Sequence, residues 1–233
     1  GSMKRTENKG NRYSRVAIIL HWVIAALIFA NLVVGFFMEG LTGSLRSSAI
    51  AFHLSSGMTV LALTIVRVLW RLTHTPPPHS ASMKPWEQHA ATLAHFALYM
   101  AMVLMPLTGL SIISANPPIG SAGAASVVAK RAGLPGGDAE VRRASRTGPR
   151  MIWGIIVLPE IGILQHLGAT PEGIPLQKAM HDEFIKWHAM GAFLTTALLL
   201  LHILGALKHQ YLDGDAELAR MGISNTKRQK HES

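Results

Sequence analysis

Two histidines fourteen residues apart, His188 and His202, lie in one long apolar run near the C-terminus. At about 100° per residue, that spacing returns to within roughly 40° of the starting face, about 21 Å further along a helix. Two imidazoles on one stripe at two depths form a two-storey arrangement, and imidazole does proton transfer or metal ligation. His21 and His53 stand in two further apolar runs. An ionisable side chain in such a run is costly and marks a functional site by default, the bland alternative being a hydrogen bond between helices. The 233-residue chain has 12 histidines and no cysteine. That composition excludes disulfides, thiolate nucleophiles and iron–sulfur ligation.

The elements that carry these histidines follow from composition. Only 15% of residues are charged and 49% are hydrophobic, against about 25% charged in an ordinary soluble domain. The net charge of +9 sits at the ends of apolar runs, which points to a membrane rather than to nucleic acid. A helical span needs about 20 apolar residues. Four runs qualify, giving spans at about 15–38, 48–72, 88–113 and 183–209 within a membrane domain over 14–210. Gly1-Ser2-Met3 reads as a tag scar ahead of a short tail ending at residue 13, and 211–233 reads as a C-terminal tail. The run from Val16 is too long for a signal peptide and reads as a retained span.

Lys4, Arg5, Lys9, Arg12 and Arg15 precede the first span; Arg67, Arg71 and Lys84 lie between spans two and three; Lys208, Arg220, Lys227, Arg228 and Lys230 follow the fourth. Both termini are therefore expected in the cytoplasm. The long loop 114–182 would be periplasmic despite Lys130, Arg131, Arg142, Arg143, Arg146 and Arg150, since loops longer than about 60 residues escape the rule. Its apolar piece from Met151 to Pro159 is too short to span, and is expected to lie along the interface or fold over the bundle.

This topology pairs His21 with His202 at the cytoplasmic level and His53 with His188 at the periplasmic level. Two trans-bundle imidazole pairs in apolar surroundings suit the two axial positions of a haem iron, porphyrin supplying the other donors. Zinc would want three or four protein ligands at one level, and no third candidate is evident at either. The expected fold is all-α: a four-transmembrane-helix bundle enclosing two b-type haems. Gly57, Gly191 and Gly205 fall near the histidines' faces and leave room for a macrocycle, or simply for tight helix packing. Gly35 lies fourteen residues after His21, at the level of the periplasmic haem. Arg67, fourteen residues after His53, reaches the depth of the other haem and reads as a propionate partner or as a positive-inside anchor. His95 reads as a contact of quinone, propionate or a neighbouring helix. His181 and His209 continue the stripe beyond the membrane surfaces and read as solvated; His74, His79, His166 and His231 read as surface residues. Trp22, Trp70, Trp86 and Trp187 read as interfacial belt residues.

Several segments resemble the bacterial cytochrome b561 family: Tyr13-Ser14-Arg15 leading to Leu20-His21-Trp22; His53 followed by Gly57; Arg67 to His74 leading to Pro76-Pro77-Pro78; Ala94-His95 to Tyr99; Pro106-Leu107-Thr108-Gly109; Ile152-Trp153-Gly154 to Leu158-Pro159; and His188 to His202 with Lys208-His209 and Arg220-Met221. The resemblance implies two b-type haems held by His21, His53, His188 and His202, quinone-linked electron transfer, and a multi-pass place in the bacterial inner membrane. Arg15 joins Arg67, Gly57, Gly191, Gly205 and His95 as candidate contacts of haem or quinone. One branch of the family is a superoxide oxidase passing electrons to ubiquinone. The sequence departs from the family in its longer basic loop, and in Ala189, where the family often carries Glu.

Three classes of function follow. In the first, the chain is a one-electron relay from a periplasmic donor, with superoxide foremost, to ubiquinone, the basic loop steering the anion. In the second it is a haem-bearing anchor for a partner dehydrogenase or carrier protein. In the third, the weakest, it is a proton-coupled transporter without haem. Membrane lipid, quinone and a small anion are the expected partners.

Overall fold

A computed structural model describes residues 13–74, 83–135, 137–213 and 220–222. The basic residues ahead of Tyr13, the Pro76-Pro77-Pro78 run, His79, Lys227, Arg228, Lys230 and His231 lie outside the described residues. The elements run α1 (Arg15–Phe37), a 3-10 turn (Met38–Gly40), α2 (Gly43–Thr73), α3 (Pro85–Ser114), α4 (Ala122–Arg131), α5 (Gly137–Ala144), β1 (Met151–Ile152), β2 (Ile156–Val157), α6 (Gly162–His166) and α7 (Ile174–Tyr211). Four helices among the described residues, α1 with its 3-10 turn, α2, α3 and α7, are long and apolar enough to cross a membrane. The fold is the expected all-α membrane architecture.

What hides from the surface is inverted relative to a soluble protein. Thr64, Ser56 and Ser114 are the largest side chains that are fully buried, whereas Phe29, Leu72, Leu93 and Phe193 stand 66–78% exposed. Small and polar residues let helices approach closely, and apolar ones are left to face hydrocarbon. The connection between α1 and α2 is short because Gly43 takes φ +58, a conformation only glycine adopts freely. Arg46 closes that turn on Glu39 at 3.0 Å.

The chain groups into two compact units, one of Gly1–Ala30, Val60–Met102 and Leu194–Ser233, the other of Asn31–Thr59 and Val103–Phe193. Each contains a segment of all four long helices. In the first unit, Trp70 Nε1–H donates to Ser14 Oγ at 3.2 Å and Trp22 Nε1–H to the Met221 carbonyl at 3.0 Å. Lys208 donates to Glu87 and Asp213 at 2.7 and 2.9 Å, fastening the end of α7 to the start of α3.

The second unit holds the long loop, which is folded. Ser121 caps α4 by accepting from Ala124 N–H. Ala124, Val127 and Ala144 form a small apolar cluster where α4 meets α5, with Val128 and Ile174 against it. Gly123 is required by close approach: its N–H reaches the Ala169 carbonyl, and a Cβ there would overlap the Gly168 carbonyl. Buried Gln177 donates to the carbonyls of Leu164 and Gln165. These polar ties extend α7 back to Ile174, well ahead of its apolar run.

Met151 to Val157 form a two-stranded hairpin that pairs Met151 with Val157 and Ile152 with Ile156. Trp153 at its tip has φ +52, unusual for a bulky residue. Its backbone N–H donates to Ser55 Oγ and its indole N–H to Thr59 Oγ1, both at 2.9 Å, while its ring meets Phe52 edge-on at 5.7 Å. Of the two sequence expectations for this apolar piece, folding onto the helices is what occurs.

Candidate functional site

Each unit contains one pair of facing histidines on different helices. In the second unit, His53 of α2 and His188 of α7 have ring centroids 5.9 Å apart at an interplanar angle of 79°. His53 Nδ1–H donates to the Asn31 carbonyl of α1 at 3.1 Å. His188 Nδ1 lies 2.8 Å from Thr108 Oγ1 of α3; with the Thr108 hydroxyl donating to the Met105 carbonyl, also at 2.8 Å, Nδ1–H donates to Oγ1. With both Nδ1 atoms used in this way, Nε2 of each ring keeps its lone pair for a metal. Two metal–imidazole bonds of about 2.0–2.1 Å plus two ring radii would span roughly 6.4 Å, and the rings stand slightly closer than that.

Glycines sit against both rings. A Cβ on Gly35 would come within 3.0 Å of His53 Cε1, and one on Gly109 within 3.4 Å of His188 Cε1. Ser56 donates to Asn31 Oδ1 at 2.8 Å, joining α2 to α1 beside His53.

In the first unit, His21 of α1 and His202 of α7 have centroids 6.3 Å apart at 57°. His95 of α3 stands 5.1 Å from His202, edge-on, and Trp22 stands 5.2 Å from His21. Arg67 of α2 connects three groups: Nε–H donates to Tyr99 Oη at 2.9 Å, Nη1 to the Ala17 carbonyl at 3.3 Å and Nη2 to His21 Nδ1 at 3.3 Å. A guanidinium has no lone pair, so His21 Nδ1 accepts and the neutral ring carries its proton on Nε2. A metal held through Nε2 would need the other tautomer, with the proton on Nδ1 and the Arg67 Nη2 contact opened. On α2, three residues before Arg67, fully buried Thr64 has an Oγ1 with no hydrogen-bond partner.

Each pair offers two ring nitrogens, and no group of three or more His, Cys, Asp or Glu among the described residues is arranged to hold a bare metal ion. Such pairs suit a metal that brings its own equatorial donors, as iron in porphyrin does. Of the other sequence candidates, Gly57 faces Asn31, Gly191 faces Met105 Sδ, and Gly205 has no atom within 4 Å of where its Cβ would be. Arg15 is exposed at the start of α1. His181, read as solvated, is buried and contacts Asp182 at 3.3 Å. His74 stacks on Trp70 at 3.8 Å. Sequence reasoning left Asn31, Thr108 and Tyr99 without a role; a polar residue inside an apolar span, as Asn31 is, was the available signal.

The loop's basic residues are largely spoken for. Glu160 accepts from Arg146 at 2.9 Å and Arg150 at 3.1 Å, and Gln165 also donates to it. Arg150 additionally reaches the Ile113 carbonyl, and burial with the neighbouring Arg146 charge lowers its pKa. Arg131 pairs with Glu140 at 3.1 Å, and Lys178 with Glu140 and Asp182 at 3.6 and 2.8 Å. Over 114–183 the sequence has seven Lys or Arg (Lys130, Arg131, Arg142, Arg143, Arg146, Arg150, Lys178) against six acids (Asp138, Glu140, Glu160, Glu172, Asp182, Glu183), a net of +1.

Four apolar helices with two facing histidine pairs define a membrane protein of the cytochrome b class. Residues 12–222 match the profile of the family described as Prokaryotic cytochrome b561, and the chain belongs to that family. Among similar proteins is "Cytochrome b561 homolog 2" of Escherichia coli (strain K12), 28% identical over 111 residues, 47% of this chain and 59% of that protein. "Cytochrome b562" of Cereibacter sphaeroides is 31% identical over 105 residues, 42% of this chain and 65% of that protein. "Probable superoxide oxidase CybB" of Yersinia pestis is 24% identical over 106 residues, 44% of this chain and 58% of that protein. The chain thus spans less than two thirds of the length of each of these relatives. Membership and the four apolar helices make it a multi-pass inner-membrane protein of that family.

Proposed function

We propose that the chain is a di-haem one-electron relay, with His21 and His202 holding one b-type haem, His53 and His188 the other, and both termini in the cytoplasm. Electrons enter from a periplasmic donor, foremost superoxide, and leave to the quinone pool, which makes the chain a superoxide:ubiquinone oxidoreductase. The observation that carries the reading is the facing of His53 and His188 with both Nδ1 atoms hydrogen-bonded to acceptors. Haem, when bound, supplies a reversible one-electron couple at iron.

The protein's contribution is arrangement. Two imidazoles per site would hold a haem from both sides and leave small molecules no place to bind at its metal. The apolar faces of the four helices keep water from the rings, and Ser56 and Asn31 brace the helices that carry His53 and its acceptor. Arg67 holds α1, α2 and α3 together beside His21 and places a positive charge there. Arg15, Gly57, Gly191, Gly205 and His95 remain proposed contacts of haem or quinone. The superoxide donor rests on the likeness to the Yersinia pestis protein; a strong steering field from the loop does not support it, given the loop's balanced charge.

One observation favours a second reading, a haem-bearing subunit that receives electrons from a docked protein. The folded loop has an open cleft of about 440 Å³ walled by charges of both signs, including Lys130, Arg131, Lys178, Glu140 and Asp182. The purified chain alone, mixed with superoxide and a ubiquinone analogue, separates the readings. Superoxide-dependent haem reduction followed by quinone reduction is expected; its absence from a fully haem-loaded preparation overturns the first reading. Haem quantitation tests the ligands, with two haems per wild-type chain expected and one after His202→Ala or His188→Ala.

A further inference from the structure

We propose that Thr108 and Gly109 of α3 form a seat that orients the His188 ring and sets its strength as a ligand, with Asn31 and Gly35 of α1 doing the same for His53. The proposal deepens the reading above and rests on His53 and His188 being haem ligands. The two seats have one plan. A hydrogen-bond acceptor takes the Nδ1 proton: the Asn31 carbonyl at 3.1 Å for His53, Thr108 Oγ1 at 2.8 Å for His188. A glycine lies flat against the neighbouring Cε1, where a Cβ on Gly35 or Gly109 would come to 3.0 or 3.4 Å.

An imidazole held at Nδ1 and Cε1 has one remaining heteroatom, Nε2, on the far side of Cε1 from the hydrogen bond. The grip fixes the tautomer and the plane of the ring together. Thr108 can donate its hydroxyl proton to the Met105 carbonyl at 2.8 Å while accepting from His188. Met105 directly precedes Pro106, which lies inside α3 and denies that helix one backbone N–H. In the second unit the ligands come from α2 and α7, while α1 and α3 supply the seats.

Hydrogen-bonding a ligand's Nδ1–H to an acceptor makes the ligand more basic, which favours the oxidised metal. Removing the acceptor therefore raises the midpoint potential of the centre that His188 serves. Thr108→Val removes the oxygen at nearly constant volume, Thr108→Ser keeps it, and Gly109→Ala crowds the ring without touching the hydrogen bond. The full chain, purified with haem, is read by redox titration, by low-temperature electron paramagnetic resonance and by haem-to-protein ratio.

In Thr108→Val one of two centres shifts to higher potential with a changed resonance signature, the other is unmoved, and Thr108→Ser restores the wild-type values. Gly109→Ala changes the resonance of that same centre. If Thr108→Val does not fold, Thr108→Ala removes the same oxygen with less bulk and is read identically. Unchanged potential and resonance in a folded Thr108 variant overturn the seat while leaving the ligand assignment intact. Retention of both haems in His188→Ala overturns the ligand assignment instead, and the seat with it.

Discussion

Arg67 and His21 lie 46 residues apart on separate helices and meet at 3.3 Å, guanidinium Nη2 to imidazole Nδ1. The same side chain also reaches the Ala17 carbonyl and the Tyr99 hydroxyl. Arg67 is thus a three-way tie among α1, α2 and α3. Hydrogen bonds to charged groups contribute about 1.5–3 kcal/mol each, and with two of these three at 3.3 Å and the side chain only part-buried, the set is worth about one strong bond. Arg67→Leu is expected to cost about 2–3 kcal/mol, read as a lower unfolding temperature in detergent. Arg67→Lys should recover little, since a point ammonium cannot span three acceptors.

Glu160 is the shared acceptor of Arg146 and Arg150, with side chains 14–19% exposed. Removing the carboxylate charge leaves two guanidinium groups side by side with no counter-charge between them. Glu160→Gln is expected to destabilise the chain by about 1–3 kcal/mol, below the 3–5 expected of a fully buried pair. Arg146→Gln in the Glu160→Gln background should regain part of that loss, a coupling that a double-mutant cycle by thermal unfolding measures.

Trp153 combines a positive φ with two hydrogen bonds to α2. Trp153→Phe keeps the ring against Phe52 but drops the indole bond to Thr59, for an expected loss of about 0.5–1.5 kcal/mol. Trp153→Gly relieves the backbone but loses both the ring and its bond, and is expected to be the worse variant. Limited proteolysis within 145–160 is the sensitive readout, with cleavage rate rising from wild type through Phe to Gly.

Salt dependence bears on the donor. Steered encounters gain about 10- to 1,000-fold at low ionic strength. With a net of +1 over 114–183 and its arginines largely ion-paired, the reaction with superoxide should change less than about tenfold between low salt and roughly 0.15 M. Stopped-flow haem reduction at the two ionic strengths checks this, and a steeper dependence would restore a steering role to exposed Lys130 and Arg142.

Hydropathy alone carries the four spans, because a helix in lipid must satisfy its backbone internally and show apolar side chains all round. The histidine pairs are legible too: fourteen-residue spacing and alternating helix direction suffice to match His21 with His202 and His53 with His188, and the structure brings each pair within 6.3 Å. Ring orientation is not legible, since it depends on a backbone carbonyl at Asn31 and on where the Thr108 hydroxyl sends its proton. The loop's internal order is not legible, because it comes from long-range polar ties such as Ile161 N–H to Ser114 Oγ at 2.8 Å. Counting its bases without its acids overstated its field.

The hairpin tip at Trp153 grips Ser55 and Thr59, two and six residues along α2 from His53. The hairpin, with Ile155 79% exposed at its end, is thereby fastened to the same stretch of α2 that carries His53, so the placement of one is tied to the placement of the other.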